Sequence, residues 1–431
     1  MLYPLYNILL LILTVVLAPV ACLVLLVHRK YRVGFLEKCG IKIPLLRGAS
    51  RPLWIHAVSV GEVMAAVPLI REIKQRHPTL PIIVSTITAT GNTTAQRNLK
   101  GIDQVLFFPF DYNFIVRRYL SRIQPCAFVA LETEIWPNFL RELNRQKIPA
   151  LIVSGRISLR SFPRYYRCRF FFQQVLKHLT WCCMQTREDA DRIIRIGADP
   201  RRVSVTGNVK FDHQIPPISE QEHERLRTEL RICEGQLVFI AGSTHRGEEE
   251  IILEVFAAVK KRFPDTVLIL APRHPERFDE VAALLRQSGL RWVKRTMLTT
   301  APSQNTGNDV ILLDTIGELS KIYSLGTVIF IGGSLVPVGG HNVLEPGVFK
   351  KPVLFGPHMG NFSEIASILT SRHAACQVGD AEDCIRQVIK LLENSELRTQ
   401  IGDAAFRVIE ENTGAVTKSL AMLEAILGLH D

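Results

Sequence analysis

At 431 residues the chain is too long for one ordinary hydrophobic core, and 47% hydrophobic with 22% charged residues excludes a disordered chain. Lysine and arginine number 52 against 41 acids, a net charge of +11 that favours negatively charged partners: nucleic acid, an anionic membrane or a phosphorylated substrate. Nine scattered cysteines without a C-x-x-C pair exclude a disulfide scaffold and a recognisable zinc site, and fit reduced thiols in a cytosolic compartment.

Residues 1–27 contain no Asp, Glu, Lys or Arg, and from Ile8 to Val27 only Thr14, Pro19 and Cys22 interrupt the apolar run. A bilayer core about 30 Å thick needs roughly 20 helical residues, which this run supplies. His28-Arg29-Lys30-Tyr31-Arg32 follows at once, and seven basic residues lie between Arg29 and Arg51 against one acid, Glu37. Cations on the C-terminal side alone predict a single-pass transmembrane anchor, residues 1–28, with the rest of the chain on the cytoplasmic side. A cleaved signal fits less well, because a charged n-region is missing and the apolar run is too long.

Beyond Pro52, short apolar runs alternate with amphipathic stretches. Leu53–Val58, Ile82–Ile87, Val105–Phe110, Ala127–Leu131, Ala150–Val153 and Trp181–Met184 are predicted strands, with helices such as Val63–Arg76, Phe114–Ile123 and Asn138–Gln146 between them. Continuous apolar strands separated by helices predict a parallel sheet covered on both faces. Within this half, Arg156 to Phe172 interleaves arginines with aromatic residues. In a tethered chain that pattern fits an interfacial helix or a core-packed helix with a solvated arginine face; an RNA-stacking platform fits less well.

The same rhythm restarts after the polar segment Asp212–Glu224, which holds Pro216-Pro217. Predicted strands there are Leu237–Ala241, Val267–Leu270, Val310–Leu313, Val328–Ile331 and Pro352–Phe355, with Met297–Asn308 an exposed loop and everything from Glu382 helical. The expected organisation is an α/β protein with an N-terminal domain over 29–211 and a C-terminal domain over 212–431, facing across a cleft. Ligands in such sheets bind beyond the carboxyl ends of the strands, so the residues just after each strand are the candidates.

After the first strand comes Ser59-Val60-Gly61-Glu62, a capping box whose glutamate is also placed to act as a general base. Glu132 and Glu134, in Leu131-Glu132-Thr133-Glu134-Ile135-Trp136-Pro137, follow the fourth strand, and Lys210 lies at the domain junction, placed to neutralise a phosphate or to pair with Asp212. In the second half, Gly242-Ser243-Thr244-His245, Ala271-Pro272-Arg273-His274, Asp314-Thr315-Ile316-Gly317-Glu318 and Gly332-Gly333-Ser334 with Gly340-His341-Asn342-Val343-Leu344-Glu345 each follow a strand. Each also fits a turn or a helix cap; their joint occurrence at four strand ends points to a phosphate- and ribose-binding site. Asp189-Ala190-Asp191 resembles a metal-binding D-x-D, but the charged run Arg187–Arg195 predicts a solvated helix face, and no metal is assigned.

Together these motifs, the anchor, Gly207-Asn208-Val209-Lys210 and Gly356-Pro357-His358 with Asn361-Phe362 make the chain resemble, nearly end to end, the bacterial Kdo (3-deoxy-D-manno-octulosonic acid) transferases of lipid A biosynthesis. The resemblance implies a GT-B architecture of two Rossmann-like domains and CMP-Kdo as donor. It implies Glu62 as proton acceptor, Glu132 and Lys210 as transition-state stabilisers, and Pro272, Arg273, Ile316, Gly317, Glu318, Asn342, Val343, Leu344 and Glu345 as the CMP site. It further implies metal-independent, inverting transfer without a cofactor to lipid IVA at the cell inner membrane, with inner-membrane lipids and no nucleic acid as further partners. No motif fixes how many Kdo residues are added. Two other readings are a GT-B transferase using a UDP-sugar on a lipid acceptor and a non-catalytic, basic membrane adaptor.

Overall fold

Strands β1 (Leu53–His56), β2 (Ile82–Thr86), β3 (Gln104–Phe107), β4 (Ala127–Leu131), β5 (Ala150–Gly155), β6 (Trp181–Met184) and β7 (Val203–Val205) form one parallel sheet in the order β3-β2-β1-β4-β5-β6-β7. The computed structural model describes residues 2–28, 32–44, 50–212, 218–298 and 307–429. In β1 the side chains alternate between two cores: Leu53 and Ile55 enter one, Trp54 the other. Both faces are therefore covered, which is why the strand lacks the polar alternation of a half-exposed sheet.

Strands β8 (Val238–Thr244), β9 (Val267–Pro272), β10 (Trp292–Lys294), β11 (Val310–Leu312), β12 (Val328–Ile331), β13 (Val353–Phe355) and β14 (Cys376–Gln377) form a second parallel sheet, ordered β10-β11-β9-β8-β12-β13-β14. The three strands that sequence reasoning missed, β7, β10 and β14, lie at sheet edges and have two or three residues each, too few to show an apolar run. In each sheet the strand order reverses beside the first strand, between β1 and β4 and between β8 and β12.

The chain divides into two compact units, Met1–His213 with Asn412–Asp431, and Gln214–Glu411. The expected second domain running to residue 431 is corrected at its end: Val416, Leu420 and Leu423 of the helix Ala415–Leu427 enter the core beneath β1. Asp212 holds the start of that helix, its carboxylate accepting from the amides of Gly414, at 2.6 Å, and Val416. Parts of the predicted linker (213–217), of the Met297–Asn308 loop (299–306) and of the basic flank (29–31) lie outside the described residues.

The N-terminal helix spans Leu2–Val27 and is long and apolar enough to cross a membrane. Its first turns meet the first unit: the Tyr6 hydroxyl donates to Asp111 at 2.9 Å and the Asn138 amide donates to Asn7 at 2.7 Å. The arginine–aromatic stretch forms the helices Phe162–Arg167 and Arg169–Leu176. Tyr165, Phe171 and Phe172 pack on the core, as the core-packed reading expects, while Phe170 is 68% exposed.

Leu420→Ala is expected to lower the stability of the first unit by about 2–5 kcal/mol, because its side chain completes a core assembled from both ends of the chain. Urea unfolding of the variant, followed by tryptophan fluorescence, checks this.

Candidate functional site

In the first unit the candidate residues gather where the strand order reverses. Ser59 caps the helix Val60–Arg76, its hydroxyl oxygen accepting from the Glu62 amide. The Glu62 carboxylate turns back, accepting from the Val58 amide at 2.8 Å and the Ser59 hydroxyl at 3.0 Å. It is 7% exposed. Burial, reinforced by the Glu132 charge, pushes this carboxyl up to about 7, while the Val58 amide, Ser59 and Lys210 oppose the rise.

Glu132 leaves β4 with φ 56°, a left-handed conformation that costs a non-glycine residue on the order of 1–3 kcal/mol. Its carboxylate meets the Lys210 ammonium at 2.9 Å. Thr133 is fixed to the backbone of Arg156 through two hydrogen bonds, of 2.6 and 2.8 Å, which holds the turn carrying both glutamates. Glu134 accepts from the Trp136 indole at 3.1 Å, and burial, then the Glu62 charge, pushes its carboxyl up to about 7. Three carboxylates thus act on one another beside one lysine. Sequence reasoning singled out Glu62, Glu132 and Lys210, which the fold brings together, and left Glu134 without a role; the repeated glutamate of E-T-E was the available signal.

The second unit builds its candidate site at its own reversal, around a buried carboxylate that sequence reasoning missed. Glu248, at the start of the helix Glu248–Arg262, accepts from the amides of His245, Gly333, Ser334 and Leu335 at 2.9, 2.6, 2.9 and 2.8 Å. It ties the loop after β12 to the end of β8. A side chain at Gly332 would put its Cβ 2.5 Å from the Ser243 carbonyl oxygen, so only glycine permits this approach. The spacing of Glu248 three residues after His245, as in a capping box, was its legible trace.

On this frame the His245 and His341 rings meet through their Nε2 atoms at 2.8 Å, and His274 stands edge-on to His245. Burial lowers His245 to about 4 and His341 to about 3, with neighbouring Arg273 and the other imidazoles adding to the effect. Both rings are neutral near pH 7, so one Nε2 donates and the other accepts. Pro272 ends β9, and exposed Arg273 follows it, its amide donating to Thr244. Asn342 donates to Glu345 at 3.2 Å and accepts from the Leu344 amide, while Val343 and Leu344 are buried. Burial pushes the Glu345 carboxyl up to about 7 against the pull of Asn342 and Arg273.

After β11, Ile316 is 80% exposed and Gly317 has φ 90°. Glu318 is committed elsewhere, accepting from Thr315 at 2.6 Å and pairing with Arg295. The D-x-D expectation of a solvated face is corrected for Asp189, which is 4% exposed and accepts from the Ile157 amide and Thr186 hydroxyl. It braces the loop after β5, an interaction across 32 residues that local patterning does not reveal.

Residues 28–213 match the 3-Deoxy-D-manno-octulosonic-acid transferase (kdotransferase) family. The chain is 35% identical over 399 residues to the 3-deoxy-D-manno-octulosonic acid transferase of Haemophilus influenzae, covering 92% of each chain. The chain belongs to the Kdo transferase family. The corresponding Bordetella pertussis transferase is 32% identical, over 91% of this chain and 90% of its own length. A glycosyltransferase structure from Rickettsia africae, 13% identical, superposes with a TM-score of 0.53 over 89% of this chain and all of its own, which shows the shared GT-B fold. This Kdo transferase is accordingly a glycosyltransferase with two Rossmann-like units.

Glu248→Ala would leave four amides, two of them buried and two half-buried, without their acceptor, and is expected to destabilise the second unit by about 3 kcal/mol or more. Calorimetric unfolding, with faster amide exchange at Gly333 to Leu335, is the readout.

Proposed function

We propose that this transferase moves Kdo from CMP-Kdo to lipid IVA with inversion and without a metal cofactor. The observation that carries this reading is Glu62: a buried carboxyl at the end of β1, titrating near neutrality and flanked by the Glu132–Lys210 pair. A base of that pKa is matched to its task at physiological pH.

Glu62 takes the proton from an acceptor hydroxyl as the oxygen forms its bond to the Kdo anomeric carbon and the bond to the CMP phosphate oxygen breaks. Glu132 stabilises positive charge developing at the sugar, and Lys210 the negative charge leaving on phosphate. In the second unit Arg273 meets the phosphate and Glu345, with Asn342, the ribose or base. Gly317 leaves backbone free to approach, and Ile316 offers an apolar lip. Glu318, bound to Arg295 and Thr315, shapes that turn rather than reaching for the nucleotide. The neutral His245–His341 pair adds polarity beside Arg273 without competing for the phosphate as a cation.

The apolar helix Leu2–Val27 and its basic flank support attachment to the inner membrane with both units on the cytoplasmic side, where the lipid acceptor is met. Detergent-dispersed lipid IVA incubated with CMP-Kdo should gain the mass of Kdo in lipid mass spectra. Transfer from a UDP-sugar instead, or no transfer from either donor, would overturn the reading.

Three further outcomes follow from the site. Glu62→Gln should keep CMP binding and lose about a hundredfold to ten-thousandfold in turnover, since an amide cannot accept the proton. In the wild type, kcat/KM should fall as pH drops below about 7, where the Glu62 carboxyl becomes protonated, and Lys210→Ala should move that midpoint upward by removing a cation that favours the carboxylate. Arg273→Ala and Glu345→Ala should each weaken CMP binding by about tenfold to a hundredfold in calorimetric titration.

A further inference from the structure

Three carboxyls act on one another in the first unit, and their partners divide them. Both oxygens of Glu62 are engaged, one by the Val58 amide at 2.8 Å and one by the Ser59 hydroxyl at 3.0 Å. Glu132 is paired with the Lys210 ammonium at 2.9 Å. Glu134 has the weakest support for a negative charge: one neutral donor, the Trp136 indole, meets its Oε2 at 3.1 Å. Among the described residues no cation pairs with it and nothing bonds its Oε1, which is not sealed from solvent and so lies within reach of a ligand.

The charges that act on Glu134 are of its own sign. They come from Glu62, at the start of the helix Val60–Arg76, and from Glu132, two residues earlier on the same turn. On the helix Phe162–Arg167 the Tyr165 phenol feels the Glu134 charge, which opposes its ionisation. Lys210, the cation beside these carboxyls, is held by Glu132. Of two carboxyls that repel each other, the one with better-supported charge ionises first and its neighbour keeps its proton. Glu62, supported by an amide, a hydroxyl and Lys210, ionises; Glu134 stays protonated. Burial, which pushes both carboxyls up to about 7, agrees with one proton held between them near neutral pH. Because the indole N–H fixes Oε2 as an acceptor, that proton sits on the open Oε1.

We propose that Glu134 binds the acceptor in its protonated form, its Oε1 hydroxyl donating a hydrogen bond to a sugar oxygen next to the attacking hydroxyl. The inference deepens the transfer reaction proposed above and rests on it. Two carboxylates could only accept from the sugar, and would leave the sense of its hydroxyls undetermined. One acceptor, Glu62, beside one donor, Glu134, engages two neighbouring sugar oxygens in a single sense. The attacking hydroxyl then presents its proton to Glu62 and a lone pair to the anomeric carbon.

The test follows transfer from CMP-Kdo to detergent-dispersed lipid IVA by the full chain, as kcat/KM for the acceptor across the neutral pH range. The wild type should give a bell, with its acid limb from Glu62 and its basic limb from ionisation of Glu134. Glu134→Ala should lose about tenfold to a hundredfold at the pH optimum while keeping its affinity for CMP. Glu134→Gln, whose amide accepts from Trp136 and donates to the sugar but cannot ionise, should recover most of that loss and abolish the basic limb. A Glu134→Gln variant as weak as Glu134→Ala, or one that keeps the basic limb, overturns the proposal. So does wild-type activity in Glu134→Ala. Absence of transfer by the wild type at any pH would instead refute the transfer reaction itself, so the two failures are distinguishable.

Discussion

Two neighbouring parallel strands whose connections leave in opposite directions open a gap at their carboxyl ends, and each unit of this protein is organised around that gap. The central strands are otherwise largely apolar, because both sheet faces are covered. Polar chemistry is therefore confined to the few residues where a strand stops. Glu62 and Glu132 occupy the gap between β1 and β4; His245 and the Gly332–Ser334 turn occupy the gap between β8 and β12.

The two gaps are furnished oppositely. In the first, three glutamates accompany one lysine, and burial, reinforced by the neighbouring carboxylates, pushes two of the carboxyls up to about 7. In the second, one fully committed carboxylate, Glu248, organises backbone amides, and the groups facing Arg273 are neutral imidazoles and a carboxyl raised by burial. The first arrangement suits taking up a proton; the second leaves the arginine's charge available to an anion. Both depend on exclusion of water, which makes the burial of each carboxyl part of its chemistry rather than an incidental cost.

What was legible in the sequence divides along physical lines. Central strands were readable because burial on both faces demands an unbroken apolar run, and Glu62 because its capping-box partner lies three residues away. The edge strands β7, β10 and β14 offered no run to detect. Asp189, Glu248, Tyr6 and Asn7 take their meaning from partners dozens of residues distant, so local spacing gave at most a cap or an apolar helix. Ile316-Gly317-Glu318 is divided by the fold: the motif is where it was expected, but its acidic side chain is spent on Arg295.

The return of the helix Ala415–Leu427 to the first sheet has a consequence for biogenesis. As the chain leaves the ribosome, the core beneath β1 lacks Val416, Leu420 and Leu423 until the whole of Gln214–Glu411 has been made. At about 5–20 residues per second that interval is on the order of ten seconds or more, during which an apolar groove stays open while the N-terminal helix is already available to lipid. A nascent chain in that state needs a chaperone, or its neighbouring bilayer, to cover the groove. A chain truncated before residue 412 keeps it open permanently, which marks it for proteolysis even though the glutamates, lysine and glycine-rich turns of both candidate sites have all been synthesised.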